Sequence, residues 1–119
     1  MSREIISSEK YPEKPHNSPA VRVPGLVFCS GQVGKGPDIK AGTVEALSAL
    51  KDVLELSGAT LESVCKYNIF LKNMDDFVEM NKAFVAFLPD PKPARTCIQA
   101  GRLPGGPDSI IEIECIAQV

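Results

Sequence analysis

The residues best suited to chemistry lie in the last quarter of the sequence, where an arginine and two glutamates fall in neighbouring strand-like segments. Arg95 follows Pro93-Ala94, whereas Glu112 and Glu114 lie in an otherwise apolar run. Because the side chains of a strand alternate in direction, Glu112 and Glu114 point the same way. Burying an unpaired carboxylate is costly, so these glutamates must be paired, protonated or functional. An arginine that binds an anion beside a carboxylate that transfers protons would form a small active site.

Arg95 and a second candidate segment also have structural interpretations. Arg95 would fill a purely structural role if it formed an ion pair with Glu112 or Glu114. A second candidate segment, Ser30-Gly31-Gln32, ends a strand-like run. Its glycine would let a ligand or another backbone approach closely, or it would mark a simple β-bulge. The sequence pattern alone leaves both pairs of alternatives open.

The elements that must position these residues follow from the hydrophobic periodicity, which predicts a single α+β domain over residues 1–119. Asp38 is a good N-cap for a first helix, and Gly58 would follow its end. Two helices can cover only one face of the sheet, so the apolar opposite face predicts an oligomer. The predicted strands cover residues 3–7, 20–23, 26–33, 64–71, the segment from Arg95 and residues 110–117, and the predicted helices run to about residue 57 and over 76–88.

Composition excludes several classes of protein. Apolar residues make up 44% and charged residues 24% of the chain, which are ordinary values for a globular domain. The net charge is -2 and no cluster of lysines and arginines exists, so nucleic-acid binding is not expected. No apolar run approaches the length of a membrane span, and no targeting segment is evident, which predicts a cytoplasmic protein without a membrane partner. A mitochondrial location is the less favoured alternative.

The cysteines and the histidine do not indicate a metal or redox site. The four cysteines form no CxxC pair, so we expect four reduced thiols in the core of the domain. The only histidine, His16, lies in a proline-rich loop, where it is expected to be exposed. Cys97 invites interpretation as a nucleophile, but no histidine lies near it in any motif, so we reject that role.

Several of these segments together resemble the signature of the Rid/YjgF family, whose archetypes are the RidA enamine/imine deaminases. The resemblance rests on strand ends and turns spread over nearly the whole chain. The matching segments are Ser30-Gly31-Gln32, Val64-Cys65-Lys66 through Phe70-Leu71, Met74 through Phe77 with Asn81, Pro93-Ala94-Arg95-Thr96-Cys97, Arg102-Leu103-Pro104 and Glu112 through Ala117. It implies a chorismate-mutase-like mixed sheet with two helices on one face, and a homotrimer that closes through the other face into a barrel.

The resemblance also implies an activity. It is the hydrolysis of 2-iminopropanoate or 2-iminobutanoate to the 2-oxo acid and ammonia, without a metal or organic cofactor, in clefts between subunits. Arg95 would bind the substrate carboxylate through its planar fork of donors. Glu114 aligns with the family glutamate that handles water, and Glu112 ranks below it. Ser30 and Gly31 would contact the substrate.

Two further positions complete the implied site. The backbone groups of Cys97 would hold the substrate, so that its side chain would matter little. The family's tyrosine near the N-terminus is absent here, because Asn17 of Pro15-His16-Asn17-Ser18-Pro19 aligns with it, and Tyr11 is out of register. Asn17 or His16 would then take part of the tyrosine's place, and we assign Asn17 to substrate binding.

The missing tyrosine favours an alternative function. In that reading the chain is a trimer that binds 2-oxo acids or related small carboxylates through Arg95 but catalyses little or no deamination. A translation inhibitor acting on RNA, or a chaperone, is a third class attributed to relatives, and the absence of a basic patch argues against RNA.

Overall fold

A computed structural model describes residues 2–119 and shows six strands and two α-helices in this part of the chain. The predicted elements are all present, with ends that differ from the predictions by one or two residues. Short 3₁₀ turns at Leu61–Ser63 and Met74–Asp76 precede the fourth strand and the second α-helix. In chain order the elements are β1 (Glu4–Ile6), β2 (Ala20–Val23), β3 (Leu26–Gly34), α1 (Ile39–Leu56), β4 (Val64–Leu71), α2 (Phe77–Phe87), β5 (Ala94–Gln99) and β6 (Ile111–Gln118).

The strands form one mixed sheet in the order β1-β2-β3-β6-β4-β5. Only β4 and β5 run parallel, and every other neighbouring pair is antiparallel. The last two strands follow each other in sequence but do not pair, because β4 lies between them. Arg95 is therefore on an edge strand, whereas the two glutamates are on a central strand.

Local chemistry explains where the helices begin and end. The Asp38 side chain accepts a hydrogen bond from the backbone N–H of Ala41 at 2.9 Å, which caps α1 as predicted. After the helix, Gly58 adopts φ +83°, a left-handed conformation in which glycine has no steric penalty. The Asn73 side chain accepts from the N–H of Asp75 and so caps the 3₁₀ turn that leads into α2.

Both helices pack on one face of the sheet and enclose the core. Alternate residues of β6 are buried against them, which explains why Ile111, Ile113 and Cys115 are almost inaccessible. Helix α1 comes close to the sheet at Gly42, where an added Cβ would lie 2.9 Å from the Ile110 side chain. This close approach explains a glycine inside α1 despite its low helix propensity. The α+β class, with two helices on one face of a mixed sheet, is thus confirmed.

The opposite face of the sheet, called the open face below, has no covering element within residues 2–119. It carries large apolar side chains that remain exposed, namely Leu26, Phe28 and Ile98. It also carries Glu112 and Glu114, which project from it together as predicted. No helix in the described part of the chain is long and apolar enough to cross a membrane.

One expectation about the cysteines is wrong. All four are free thiols, and Cys29 and Cys115 are buried as a registered pair across β3 and β6. Cys65, however, is exposed near the start of β4 rather than in the core. Its strand-like context predicted burial, but it lies at an irregularity in the pairing of β4 with β6, between Val64 and Lys66, where the regular alternation of side chains is interrupted. His16 is exposed, as expected for a loop residue.

Candidate functional site

The strand end Ser30-Gly31-Gln32 is a β-bulge. Cys29 pairs with Cys115 and Gln32 pairs with Ile113, so two residues of β3 stand opposite one residue of β6. The Ser30 hydroxyl donates to the Ser18 carbonyl at 2.6 Å, and the Ser30 N–H donates to the Pro19 carbonyl at 2.9 Å. These two hydrogen bonds fasten the loop that precedes β2 to the bulge.

A cavity of about 280 Å³ lies between this loop and the bulge. It brings together Asn17, Ser30 and Gly31, three of the residues that the sequence predicts for substrate binding. Its other lining residues are Lys10, Tyr11, Pro12, Lys14, Ser18, Pro19 and Gln32. The walls are rich in hydroxyl, amide and backbone groups, so the cavity suits a small polar ligand.

Tyr11 reaches this cavity from outside the family's register. Its hydroxyl donates a hydrogen bond to Asp52 on α1 at 2.8 Å, and Lys10 forms an ion pair with the same carboxylate. Burial is the main cause that raises the pKa of the Tyr11 hydroxyl, and the Asp52 carboxylate adds to it. This hydroxyl is therefore engaged with α1 rather than presented to the cavity, and Tyr11 does not supply the missing group.

The Glu112 carboxylate lies directly against Gly31. A Cβ added at Gly31 would stand only 2.5 Å from Oε2 of Glu112 and 2.8 Å from its Cδ, so only glycine leaves room for the carboxylate. The β-bulge predicted as one alternative for this segment is therefore confirmed, and the group that approaches Gly31 closely is a side chain rather than a ligand or another backbone. Burial, and secondarily the negative charge of Glu114, raises the pKa of Glu112.

The two glutamates have different surroundings, although they project from the same face. Oε2 of Glu114 accepts a hydrogen bond from the Asn68 amide on β4 at 3.0 Å. Among residues 2–119, Glu112 has no hydrogen-bond or ion-pair partner. A half-buried carboxyl that has a raised pKa and no fixed partner can exchange protons with a bound molecule.

Arg95 lies on the other side of the sheet. Its Nη1 donates to Oδ1 of Asn81 on α2 at 2.6 Å, and its guanidinium carbon stands 5.0 Å from the ring centre of Phe84. It forms no ion pair with Glu112 or Glu114, so the structural ion pair that the sequence allowed is absent from the described residues. The small active site expected within one chain is likewise not assembled, because Arg95 and the glutamates project from opposite faces and β5 is two strands from β6, about 10 Å at ordinary strand spacing.

Cys97 projects to the same side of β5 as Arg95 and is partly buried against the core. Burial raises the pKa of its thiol, and the positive charge of Arg95 opposes this shift only in part. The thiol is thus a poor nucleophile at neutral pH. Because β5 pairs only with β4, the backbone groups on its outer edge have no strand partner within residues 2–119 and are free to bind a ligand.

Sequence reasoning gave no functional role to two amides that the structure connects with the charged residues. Asn81 holds Arg95, and Asn68 holds Glu114. A signal for Asn81 was present, since it lies four residues after Phe77 and three before Phe84, as a polar residue within an apolar helical stripe. Asn68 gave no comparable signal, because its pairing with Glu114 depends on the register of β4 and β6.

Comparisons with known proteins agree on one family. A family model described as Endoribonuclease L-PSP matches residues 7–119. Protein mmf2, mitochondrial, from Schizosaccharomyces pombe is 42% identical over 125 aligned positions, covering 98% of this chain and 98% of that protein. Reactive Intermediate Deaminase A, chloroplastic, from Arabidopsis thaliana is 35% identical, covering 98% of this chain and 66% of that protein.

Solved structures give the same result. The crystal structure of RidA from the Antarctic bacterium Psychrobacter sp. PAMC 21119 matches with a TM-score of 0.89 and 33% sequence identity, covering 98% of this chain and 99% of that one. The mixed sheet with its two helices is therefore shared along nearly the whole length of both chains.

Proposed function

Because the chain belongs to the Endoribonuclease L-PSP family, also called Rid/YjgF, we propose that it hydrolyses 2-iminopropanoate and 2-iminobutanoate to 2-oxo acids and ammonia. The observation that carries this proposal is the Glu112 carboxyl, held against Gly31 with a raised pKa and no fixed partner. It lies beside a small polar cavity that already contains Asn17 and Ser30. A relative named for this type of activity supports the assignment.

We further propose that the working unit is a homotrimer whose open faces meet in a central barrel. Leu26, Phe28 and Ile98 are exposed on that face, and burying them would remove apolar surface from water. Arg95 and Glu112 lie on opposite faces of the sheet, so one protomer cannot place both on one small substrate. A site between subunits resolves this, with Arg95 from the edge strand β5 of one subunit, and with Glu112 and the cavity beside Gly31 from its neighbour.

In this site Arg95 receives the substrate carboxylate through two parallel N–H donors, which fixes the position and orientation of the imino acid. The free backbone edge of β5 near Cys97 and the Ser30 hydroxyl and Gly31 N–H complete the binding groups. The imine carbon then faces a water molecule next to Glu112. The required acceleration is modest, because such imines also react with water unaided, so positioning and one acid–base group are sufficient.

Proton transfer in our mechanism is assigned to Glu112. The carboxylate accepts a proton as the water oxygen bonds to the imine carbon and the C=N electron pair moves to nitrogen. Protonated Glu112 then returns the proton to nitrogen, which gives the carbinolamine. Glu112 next takes the hydroxyl proton of the carbinolamine and passes it to the amino nitrogen, so that the C–N bond breaks, the C=O group forms and ammonia leaves. Glu114, the residue to which the family resemblance gives this role, is hydrogen-bonded to Asn68 and raises the pKa of its neighbour.

A coupled assay tests this proposal. A dehydratase generates 2-iminobutanoate, and formation of 2-oxobutanoate is followed with and without the protein. We expect an acceleration that Arg95→Ala reduces by roughly 10- to 100-fold in kcat/KM, the value of a charge-assisted pair of hydrogen bonds. Arg3→Ala, which removes an exposed arginine near the N-terminus, is the matched control and should leave the rate unchanged. Equal rates with and without protein would refute the deaminase assignment.

A second candidate is a trimer that binds small carboxylates without efficient catalysis. Asn17 favours it, because an amide replaces the phenol that the family places at this point of the cleft, and Tyr11 does not substitute for it. Binding of 2-oxobutanoate in a calorimeter, together with no acceleration in the coupled assay, would select this alternative. Acceleration that disappears in Glu112→Gln while binding remains would select the enzyme.

The name of the family model also raises endoribonuclease activity. The net charge of -2 and the absence of a lysine and arginine cluster weigh against it. Salt-dependent binding and cleavage of RNA by the purified protein, retained in Arg95→Ala and Glu112→Gln, would support a separate ribonuclease site. The chaperone class is tested by measuring whether the purified protein suppresses the aggregation of an unfolded client protein.

The cytoplasmic location stays a prediction. Relatives carry the words mitochondrial and chloroplastic in their names, and these words describe those proteins. Imaging of the natural protein with a C-terminal fluorescent tag, which leaves the N-terminus unaltered, decides between the compartments.

A further inference from the structure

The Arg95 side chain is held in place before any ligand is present. Its guanidinium is fixed at one end by the Asn81 hydrogen bond of 2.6 Å. The planar group also lies near the rings of Phe84 and Phe77, with its central carbon 5.0 and 5.5 Å from their centres. All three partners come from α2 at successive turns, so a single helix sets the position of this arginine.

This set of contacts is anchored in the core. Phe84 is only 3% exposed and packs edge-on against Tyr67 with ring centres 5.4 Å apart. Tyr67 is itself fully buried and is paired in register with Arg95 across β4 and β5. The aromatic partner of the guanidinium therefore cannot move without disturbing the core, which makes the arginine's position a rigid property of the fold.

The chemistry of the hydrogen-bond partner is informative. Arginine has five N–H donors, and Asn81 uses one through a neutral amide oxygen. The remaining donors stay available for a bidentate anion, and the positive charge is not neutralised. An aspartate at the same position would hold the guanidinium equally well, but its charge would compete with the anion. Phenylalanine faces likewise attract the cation without cancelling its charge.

From this geometry we propose that Asn81 is a positioning residue that holds Arg95 ready for the carboxylate of a 2-imino or 2-oxo acid while leaving its charge free. The inference rests on the proposed function of Arg95 as the anion-binding group. It predicts that substrate affinity depends on both the shape and the neutrality of residue 81. The effect reaches the substrate only through Arg95.

The test compares Asn81→Ala, Asn81→Asp and the wild-type protein. Binding of 2-oxobutanoate is measured by calorimetry, KM and kcat by the coupled assay, and thermal stability by the melting temperature. Lys82→Ala is the matched control, because this neighbour lies on the same helix, is exposed and, among residues 2–119, forms an ion pair with Glu79 alone. We expect Lys82→Ala to match the wild type in binding.

The two Asn81 variants separate positioning from mere structural support. Asn81→Ala should weaken 2-oxobutanoate binding by roughly tenfold, since one hydrogen bond to a charged group is lost. Asn81→Asp should weaken it at least as much while its melting temperature equals or exceeds that of the wild type, because the new ion pair stabilises the fold. In both variants the change should appear in KM more than in kcat.

Each outcome has a definite consequence. Wild-type affinity in Asn81→Asp, or losses of affinity that simply follow the melting temperature, would overturn the inference. No binding of 2-oxobutanoate by the wild type would overturn it as well. Binding with the expected pattern but without any acceleration of imine hydrolysis would support the positioning role and refute the deaminase assignment alone.

Discussion

Replacing Gly31 by alanine gives a sharp test of the role assigned to Glu112. The added Cβ would stand 2.5 Å from Oε2 of Glu112, whereas non-bonded contacts between heavy atoms are ordinarily about 3.5 Å. The carboxylate must therefore retreat by about 1 Å, and a displacement of that size costs an enzyme up to ~100-fold in rate. Alanine keeps the backbone N–H of residue 31, so binding of the 2-oxo acid should change little.

The fold should tolerate this substitution. The clash involves only side-chain atoms of Glu112, namely Oε2, Cδ and also Cγ at 2.9 Å, so the whole flexible side chain must turn, and leaving its preferred rotamer costs about 0.5–1.5 kcal/mol. The loss of glycine's freedom in the unfolded chain offsets part of this by about 0.4–1 kcal/mol. We thus expect a fall of roughly 100-fold in kcat with a free energy of unfolding within about 1 kcal/mol of the wild type.

The coupled assay at saturating substrate and urea unfolding followed by circular dichroism measure the two quantities. Gly101→Ala is the matched control, because nothing lies within 4 Å of the Cβ it would add, and its activity should be unchanged. A Gly31→Ala protein with nearly native kcat would refute the placement of the catalytic carboxyl at Glu112. A loss of activity that only equals the fraction of unfolded Gly31→Ala protein would refute this placement as well.

Three further results are expected. Glu114→Gln should move the acidic limb of the pH profile of kcat/KM to lower pH. In the proposed mechanism Glu112 acts as an ionised base, and this variant removes the negative neighbour that raises the pKa of Glu112. An acidic limb at the same pH as in the wild type would contradict this coupling. Cys97→Ala should retain most of the wild-type kcat, because a thiol whose pKa is raised by burial is a poor nucleophile. A loss of kcat beyond ~100-fold would indicate that the thiol takes part in catalysis. If the proposed trimer forms through the open face, Phe28→Asp should dissociate it in sedimentation velocity because it places a further charge there, whereas Val78→Asp on the exposed side of α2 should leave the assembly intact.

The elements were predictable because their signals are local. Asp38 and Gly58 bracket α1 with a capping side chain and a left-handed glycine, and both lie where the sequence placed them. The alternation in β6 likewise gave the direction of Glu112 and Glu114. Each of these features is decided within a few residues of chain, so periodicity and capping rules are sufficient.

The site was less predictable because it depends on contacts between distant segments. The sequence suggested that Arg95 and the glutamates share one small site, since their strands are consecutive. Strand β4 lies between those strands, however, and Arg95 projects toward α2. Strand order and the parallel pairing of β5 are long-range properties that no local pattern encodes.

The choice between the two glutamates has a similar origin. Alternation places both on the open face, but it does not say which one the β3 bulge approaches. The shift in register between Cys29 and Gln32 brings Gly31 against Glu112, while the β4 register gives Glu114 an amide partner. The different surroundings of these identical side chains, on which their proposed roles rest, therefore arise from their neighbours across the sheet.

Mixed trimers test the central claim, that one subunit supplies Arg95 and its neighbour supplies Glu112. Arg95→Ala and Glu112→Gln proteins, each expected to be strongly impaired alone, are unfolded, combined in equal amounts and refolded. In a cyclic trimer with one site per interface, random mixing restores both residues to about one quarter of the sites. We therefore predict about one quarter of the wild-type rate per subunit. A mixture that is as inactive as its two components would contradict the account.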